Sequence, residues 1–236
     1  MPVGAGNVRR GLAQAALLAG VLTGCAGAAE DDTRTSASAS AAADTQSESG
    51  TAVKSGGTVG PAGSACELPV AFDIAEDWEA EAIDAGAAGE KAADGASADP
   101  EEAELAQEIA DAILRQGPVA AACEVDAKPA GNIGFLRVWT GKPGDDDPRA
   151  VLEAFVAAEN DTSKARYSAF KAGGLSGAEV KYLFTSKLLE ETKEESALAV
   201  VTERGPVVIH LGGMDTEEHR EMLPAYELAK RTLRLS

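Results

Sequence analysis

No aromatic residue occurs before Phe72, and the last one is Tyr226. Aromatic and branched apolar side chains supply most of the area that a folded core removes from water. The core must therefore lie within the C-terminal two-thirds of this 236-residue chain. What precedes it has to serve another purpose.

Residues 1–24 have the layout of an export signal. Arg9 and Arg10 form a short basic n-region, an apolar run extends from Leu12 to Leu22, and small residues follow. The run is shorter than the roughly 20 apolar residues that span a bilayer. Its end, Leu22-Thr23-Gly24-Cys25, resembles the lipobox of bacterial lipoproteins. That resemblance implies cleavage before Cys25 and a covalent diacylglycerol with palmitate-like chains on its thiol, with N-acylation of the new terminus as an optional addition. Two acyl chains meet the two-signal requirement for stable anchoring. The mature chain is thus expected outside the cytoplasm, held to the outer face of the cell membrane. Paired arginines leave both the general and the twin-arginine export routes open.

From Ala26 to Ser64 the composition is Ala, Ser, Thr, Gly and Asp, which cannot bury enough area to offset ordering entropy. Residues 25–65 are therefore expected to be a lipidated, disordered tether, reaching roughly 35 Å by flexible-linker scaling. One domain, 66–236, follows. An Ala-, Gly- and acid-rich stretch at about 84–99 reads as a surface insertion within it.

The net charge is −18. Between Glu67 and Asp111 fifteen acids face the single base Lys91, whereas beyond Asp111 nineteen acids face sixteen bases. Such a field disfavours nucleic acid and anionic lipid, which recruit Lys and Arg. It suits solubility, a cationic partner or divalent ions. With Cys25 acylated in an oxidising compartment, Cys66 and Cys123 are left to pair with each other, the alternative being two free buried thiols. A bridge would close a 57-residue loop, from the numbering 123 − 66, and contribute roughly 3–4 kcal/mol in the chain-entropy model.

Local patterning predicts an α+β domain. Alternation in 68–74 and 78–83 predicts two short strands joined by a turn. Asp99-Pro100 opens a helix with Leu105, Ile109 and Ile113 at helical spacing, closed by Gly117-Pro118. Strands are expected at 119–125 and 133–140, where Arg137 should reach an edge or a carboxylate. Asp147-Pro148 caps a helix with Val151, Leu152, Phe155 and Val156 on one face. Strands at 166–171 and 179–184 flank Gly173-Gly174, a charged loop is expected at 187–195, and 197–202 and 207–211 form a hairpin. Asp215 and Glu218 cap a last helix bearing Met222, Tyr226, Ala229 and Leu233, which Pro224 should kink or restart.

Lys171-Ala172-Gly173-Gly174, Ala197 to Val201, Pro206 to Leu211 and Leu223-Pro224-Ala225-Tyr226-Glu227 together resemble the actinobacterial lipoproteins of PsbP-like fold, the LpqN-type group. The resemblance spans about 66–236. It implies an antiparallel β-sheet flanked by helices, an α/β/α sandwich, with roles in binding or assembly at membranes and no shared catalytic motif.

Catalytic signatures are weak. Gly174-Leu175-Ser176-Gly177 has Ala178 where a nucleophile elbow needs glycine. His210 is expected on a strand and His219 on the exposed side of a helix, so a site using both would need them to converge. Neither Cys-x-x-Cys nor His-Glu-x-x-His occurs. Asp145-Asp146-Asp147 lacks the spacing of a calcium loop, and Gly141-Lys142-Pro143-Gly144 that of a phosphate loop. Trp78, Phe135, Trp139, Phe155, Tyr182 and Tyr226 fall on the buried phase of their elements. No catalytic residue, metal ligand or cofactor beyond the lipid on Cys25 is assigned. The expected function is a non-catalytic, lipid-anchored accessory protein that engages another envelope protein. The alternatives are a carrier of an apolar ligand such as a lipid or glycolipid, and an enzyme of unrecognised type.

Overall fold

The computed structural model describes residues 53–85, 87 and 100–236. The expectations for the export signal 1–24, for Cys25, for the tether up to residue 52 and for nearly all of the 84–99 insertion lie outside the described residues. In chain order the elements are β1 (Ser55–Val59), β2 (Val70–Ala75), β3 (Glu79–Ala82), α1 (Pro100–Leu114), β4 (Arg115–Gln116), β5 (Val119–Asp126), β6 (Phe135–Gly141), α2 (Pro148–Ala158), β7 (Thr162–Ala172), β8 (Leu175–Ser186), β9 (Glu191–Thr202), β10 (Gly205–Gly212), α3 (Thr216–Thr232) and β11 (Arg234–Leu235).

The main sheet runs β3-β5-β6-β10-β9-β8-β7, with β4 beside β5. Its ladders are antiparallel. Local chemistry fixes the hairpins. Gly173 and Gly174 both have positive φ, +52° and +83°, as the tight β7–β8 turn requires. The charged segment 187–195 is a turn only over its first four residues, and Glu191 onward belongs to β9.

The two helices that pack on this sheet start at their predicted caps. The Asp147 carboxylate accepts from the N–H groups of Arg149 and Ala150, and Val151, Leu152, Phe155 and Val156 are buried beneath α2. The Asp215 carboxylate accepts from the Glu218 N–H. Helix α3 passes through Pro224 without a break. The proline withholds one N–H from the carbonyl of exposed Arg220, which water can serve in its place.

Helices α2 and α3 cover opposite faces of the sheet. Under α2 lie Val119, Ala121, Trp139, Val180, Ala197 and Val208. Under α3 lie Cys123, Val125, Val138, Leu198, Ile209 and Leu211. Ala121 and Cys123 share a strand and a parity yet fall in different cores, because the β5–β6 register shifts between them. A bulge of one extra residue transfers the downstream half of β5 to the other face.

A second, three-stranded sheet, β1-β2-β11, joins α3 on its side of the main sheet. Its first strand overturns the expected start of the domain. Residues 55–59 fall within the expected tether, yet they pair with β2, and the Thr58 hydroxyl donates to the Asp73 carboxylate at 2.7 Å. Main-chain pairing orders a segment that has almost no apolar side chains. The adjacent strands β2 and β3 are also not partners: β2 pairs with β1 and β11, and β3 with β5. Cys66, in the β1–β2 connection, is disulfide-bonded to Cys123 of β5 with Cα atoms 5.9 Å apart. The bridge ties the small sheet to the large one.

Candidate functional site

Tyr182, Glu195 and His210 come from the adjacent strands β8, β9 and β10, with Tyr182 directly opposite Glu195 in the register. Above them Glu159 ends helix α2. The Tyr182 hydroxyl lies 2.8 Å from the Glu159 carboxylate, 2.9 Å from the Glu195 carboxylate and 3.3 Å from His210 Nε2. His210 Nε2 is 2.8 Å from Glu195 Oε2, so that nitrogen donates. Lys193 Nζ is 2.9 Å from the other Glu195 oxygen and donates to the Gly213 carbonyl at 2.6 Å.

The electrostatics divide the two carboxyls. Burial alone would raise the Glu195 pKa, but the charge and hydrogen bond of His210, with Lys193, hold it down to about 2. Glu159 moves up, through burial and then through repulsion by Glu195, against smaller opposing effects of His210, Tyr182 and Lys193. The Tyr182 pKa is well above its ordinary value because the ring is buried and faces both carboxylates. One phenolic proton cannot serve two carboxylates at once, so the Tyr182 hydroxyl donates to one of them at a time.

A histidine between a carboxylate and a phenol has the parts of an acid–base site, but access decides what it can do. Glu195 and Tyr182 are each 3% exposed and His210 is 8% exposed. The Phe155 ring closes edge-on over His210, with centroids 5.7 Å apart. His210 Nε2 is committed to Glu195, and the low exposure of the three residues together with the Phe155 ring shields this part of the cluster from solvent. The cluster couples α2 to the sheet through polar contacts.

His219 departs from its expected exposed position and is 2% exposed. It sits three residues before Met222 and seven before Tyr226, which is the buried phase of α3. That spacing was the signal available in the sequence. Its Nε2 is 3.2 Å from the Ser196 hydroxyl, and burial is the main cause that lowers its pKa to about 4. Glu195 and Ser196 are consecutive on β9 and face opposite sides, so His210 and His219 are separated by the sheet and do not form one site.

The remaining candidates resolve plainly. Arg137 Nε donates to Glu124 on the neighbouring strand at 3.0 Å, and its guanidinium stacks 4.4 Å from the Phe135 ring centroid. Ser176 is the second residue of β8, where it pairs with Lys171. Asp147 caps α2, while Asp145, Asp146 and Lys142 stand in an exposed loop. Trp78, Trp139, Phe155, Tyr182 and Tyr226 are core residues, and Phe135 is half-buried under Arg137.

Helix α1 begins at Pro100 as expected, but its apolar stripe faces water. Leu105, Ile109 and Ile113 are 56%, 52% and 64% exposed. The helix also carries Glu101, Glu102, Glu104, Glu108 and Asp111 and no base.

Two solved structures are similar in fold class. LpqN of Mycobacterium tuberculosis, described as involved in cell envelope biogenesis, is 14% identical, with 71% of this chain and 83% of that chain covered at a TM-score of 0.42. Cyanobacterial PsbP from Synechocystis is 9% identical, with 80% of this chain and 96% of that chain covered at a TM-score of 0.47. No curated protein matches. A family model described as "uncharacterised lipoprotein" matches residues 36–233. Since that match spans the described domain except its last three residues and far more than half of the chain, the protein belongs to this family of lipoproteins.

Proposed function

We propose that the protein is a non-catalytic, lipid-anchored accessory protein of the cell envelope, held at the outer face of the membrane through Cys25, which docks another envelope protein along helix α1. The observation that carries this reading is the stripe of Leu105, Ile109 and Ile113, more than half exposed on a helix without a base. Soluble domains seldom leave an ordered row of large apolar residues in water unless something binds it. Covering what remains exposed would contribute roughly 1 kcal/mol per residue. The exposed carboxylates Glu104 and Glu108 alongside suit an apolar groove rimmed by Lys or Arg. Membership of a lipoprotein family supports the envelope location.

An enclosed apolar ligand is the less supported alternative, because both faces of the sheet are filled by the chain's own side chains. In vivo crosslinking of the full chain tests the docking reading. Ile109→Asp should abolish a heterologous crosslink while leaving the thermal midpoint in place. A crosslink that survives, or one formed only between copies of this chain, would defeat it.

A further inference from the structure

On the α3 side of the main sheet, beside the first turns of that helix, lies a cavity of about 450 Å³. Its lining includes the exposed Lys164, Arg166, Ser168 and Lys181 and the buried Ser196 and His219. Two carboxylates, Glu194 and Glu195, also line it, each already paired with a cation. The chain's net charge of −18 repels anions at long range, so three cations gathered in one cavity need a local reason. Arg166 and Lys181 are directly opposite each other across the β7–β8 ladder, and Lys181 is directly opposite Ser196 on β9. Like charges in directly opposed positions destabilise a sheet. None of the three cations is in an ion pair among the described residues, whereas the nearby acids are occupied. Glu194 receives Arg220 through two nitrogens, at 2.8 and 3.1 Å, and Glu179 receives Lys230 at 3.1 Å.

Edge strands often carry lysine to discourage pairing with other chains, and β7 is an edge. That role covers Lys164 and Arg166 but not Lys181, which belongs to the second strand. The register of β7 also shifts between Ser163 and Arg166, and Lys164 within that bulge has φ +54°. Bulges re-aim side chains beside functional sites. A further observation lies on the cavity wall. His219 is buried, its Nε2 meets the Ser196 hydroxyl, and its Nδ1 has no partner among the described residues.

We propose that this cavity binds a phosphate ester, with the phosphate between Arg166 and Lys181 and within reach of Lys164, and with the Ser168 and Ser196 hydroxyls completing its hydrogen bonds. A dianion with several acceptor oxygens matches three cations and two hydroxyls, where a single carboxylate would leave cations opposed. Leu223 gives the wall an apolar portion that suits the ester's carbon body. The volume is that of a small-ligand pocket. The phosphate ester could be a soluble metabolite or the headgroup of an anionic phospholipid in the membrane to which the chain is tethered.

The test uses the full chain carrying Cys25→Ala, so that no acyl chain partitions into vesicles. Titration with glycerol 3-phosphate should shift the amide resonances of Ser168, Lys181 and Ser196 saturably. Arg166→Ala and Lys181→Ala should each weaken binding by at least about tenfold without lowering the thermal midpoint, since each relieves a like-charge contact. Phosphatidylglycerol vesicles that capture the chain with the same dependence on Arg166 and Lys181, where phosphatidylcholine vesicles do not, identify a headgroup. Glycerol 3-phosphate binding without vesicle capture identifies a soluble ester. The proposal is overturned if neither probe binds saturably, if succinate binds as tightly as glycerol 3-phosphate, or if the two variants bind like the parent.

Discussion

Ala121 and Cys123 stand two residues apart on one strand and face opposite sides of the main sheet, one beneath α2 and the other bonded to Cys66. The bulge between them is what lets β5 serve both cores. Without it Cys123 would point under α2, away from Cys66. The disulfide therefore depends on a one-residue irregularity in the ladder.

We predict that reducing this bridge, or replacing both cysteines by alanine, lowers stability by roughly 3–4 kcal/mol. The protein should still fold, because β1 and β2 keep their main-chain pairing and their packing against α3. Urea unfolding with and without reductant measures the difference. Coincident midpoints would show that the bridge contributes nothing.

Glu195 is the centre of the buried polar cluster, and its removal leaves His210 and Lys193 without their carboxylate. Glu195→Ala should cost about 3–5 kcal/mol, and Tyr182→Phe about 1–3 kcal/mol through the lost hydrogen bonds to Glu159 and Glu195. Denaturant unfolding near neutral pH decides this. If Glu195→Ala were instead stabilising, the cluster would be a strained site kept for another purpose, and the non-catalytic reading would suffer.

The pH dependence follows from His219 and Glu195. His219 stays neutral in the fold down to about pH 4, while the unfolded chain takes up its proton near 6.5. Its contribution is full above 6.5 and is lost as pH falls to 4, on the order of 2 kcal/mol. Glu195, depressed from 4.5 to about 2, adds a second loss as pH falls through that lower window. Glu159 has a pKa raised above 4.5, so its effect runs the other way and offsets part of the first loss, in the range above pH 4.5. Thermal midpoints should therefore fall from pH 6.5 to 4, and His219→Gln should flatten that segment. An unchanged slope in the variant would contradict the assignment.

Ile109→Asp on α1 should change stability by less than about 0.5 kcal/mol, as surface substitutions away from packed contacts do. Circular dichroism melts of the variant and parent provide the check. A large loss would mean that the stripe is covered by the chain itself.

Much of this architecture was readable in the residues because caps and turns are local. Asp147-Pro148, Asp215 and Gly173-Gly174 each specify their element without distant help. The sequence leaves Cys66 and Cys123 either bridged or as free buried thiols, and the fold has the bridge. What escaped depended on partners far along the chain. Ser55-Gly56-Gly57-Thr58-Val59 has the composition of a tether and becomes a strand only through β2. Glu195 ends a charged run that reads as a loop, and its burial is made tolerable by His210 and Lys193. The β5 bulge leaves the alternation of buried residues intact, so no periodicity could reveal the change of face. The cation row of Arg166 and Lys181 required the β7–β8 register to be known.

Membrane attachment of this chain is expected to depend on the single residue Cys25. Fractionation of cells expressing the full chain with Cys25→Ala tests it directly. The variant is expected to leave the membrane fraction for the soluble and secreted fractions, while the parent remains with the membrane. Retention of the variant at the parent's level would contradict it.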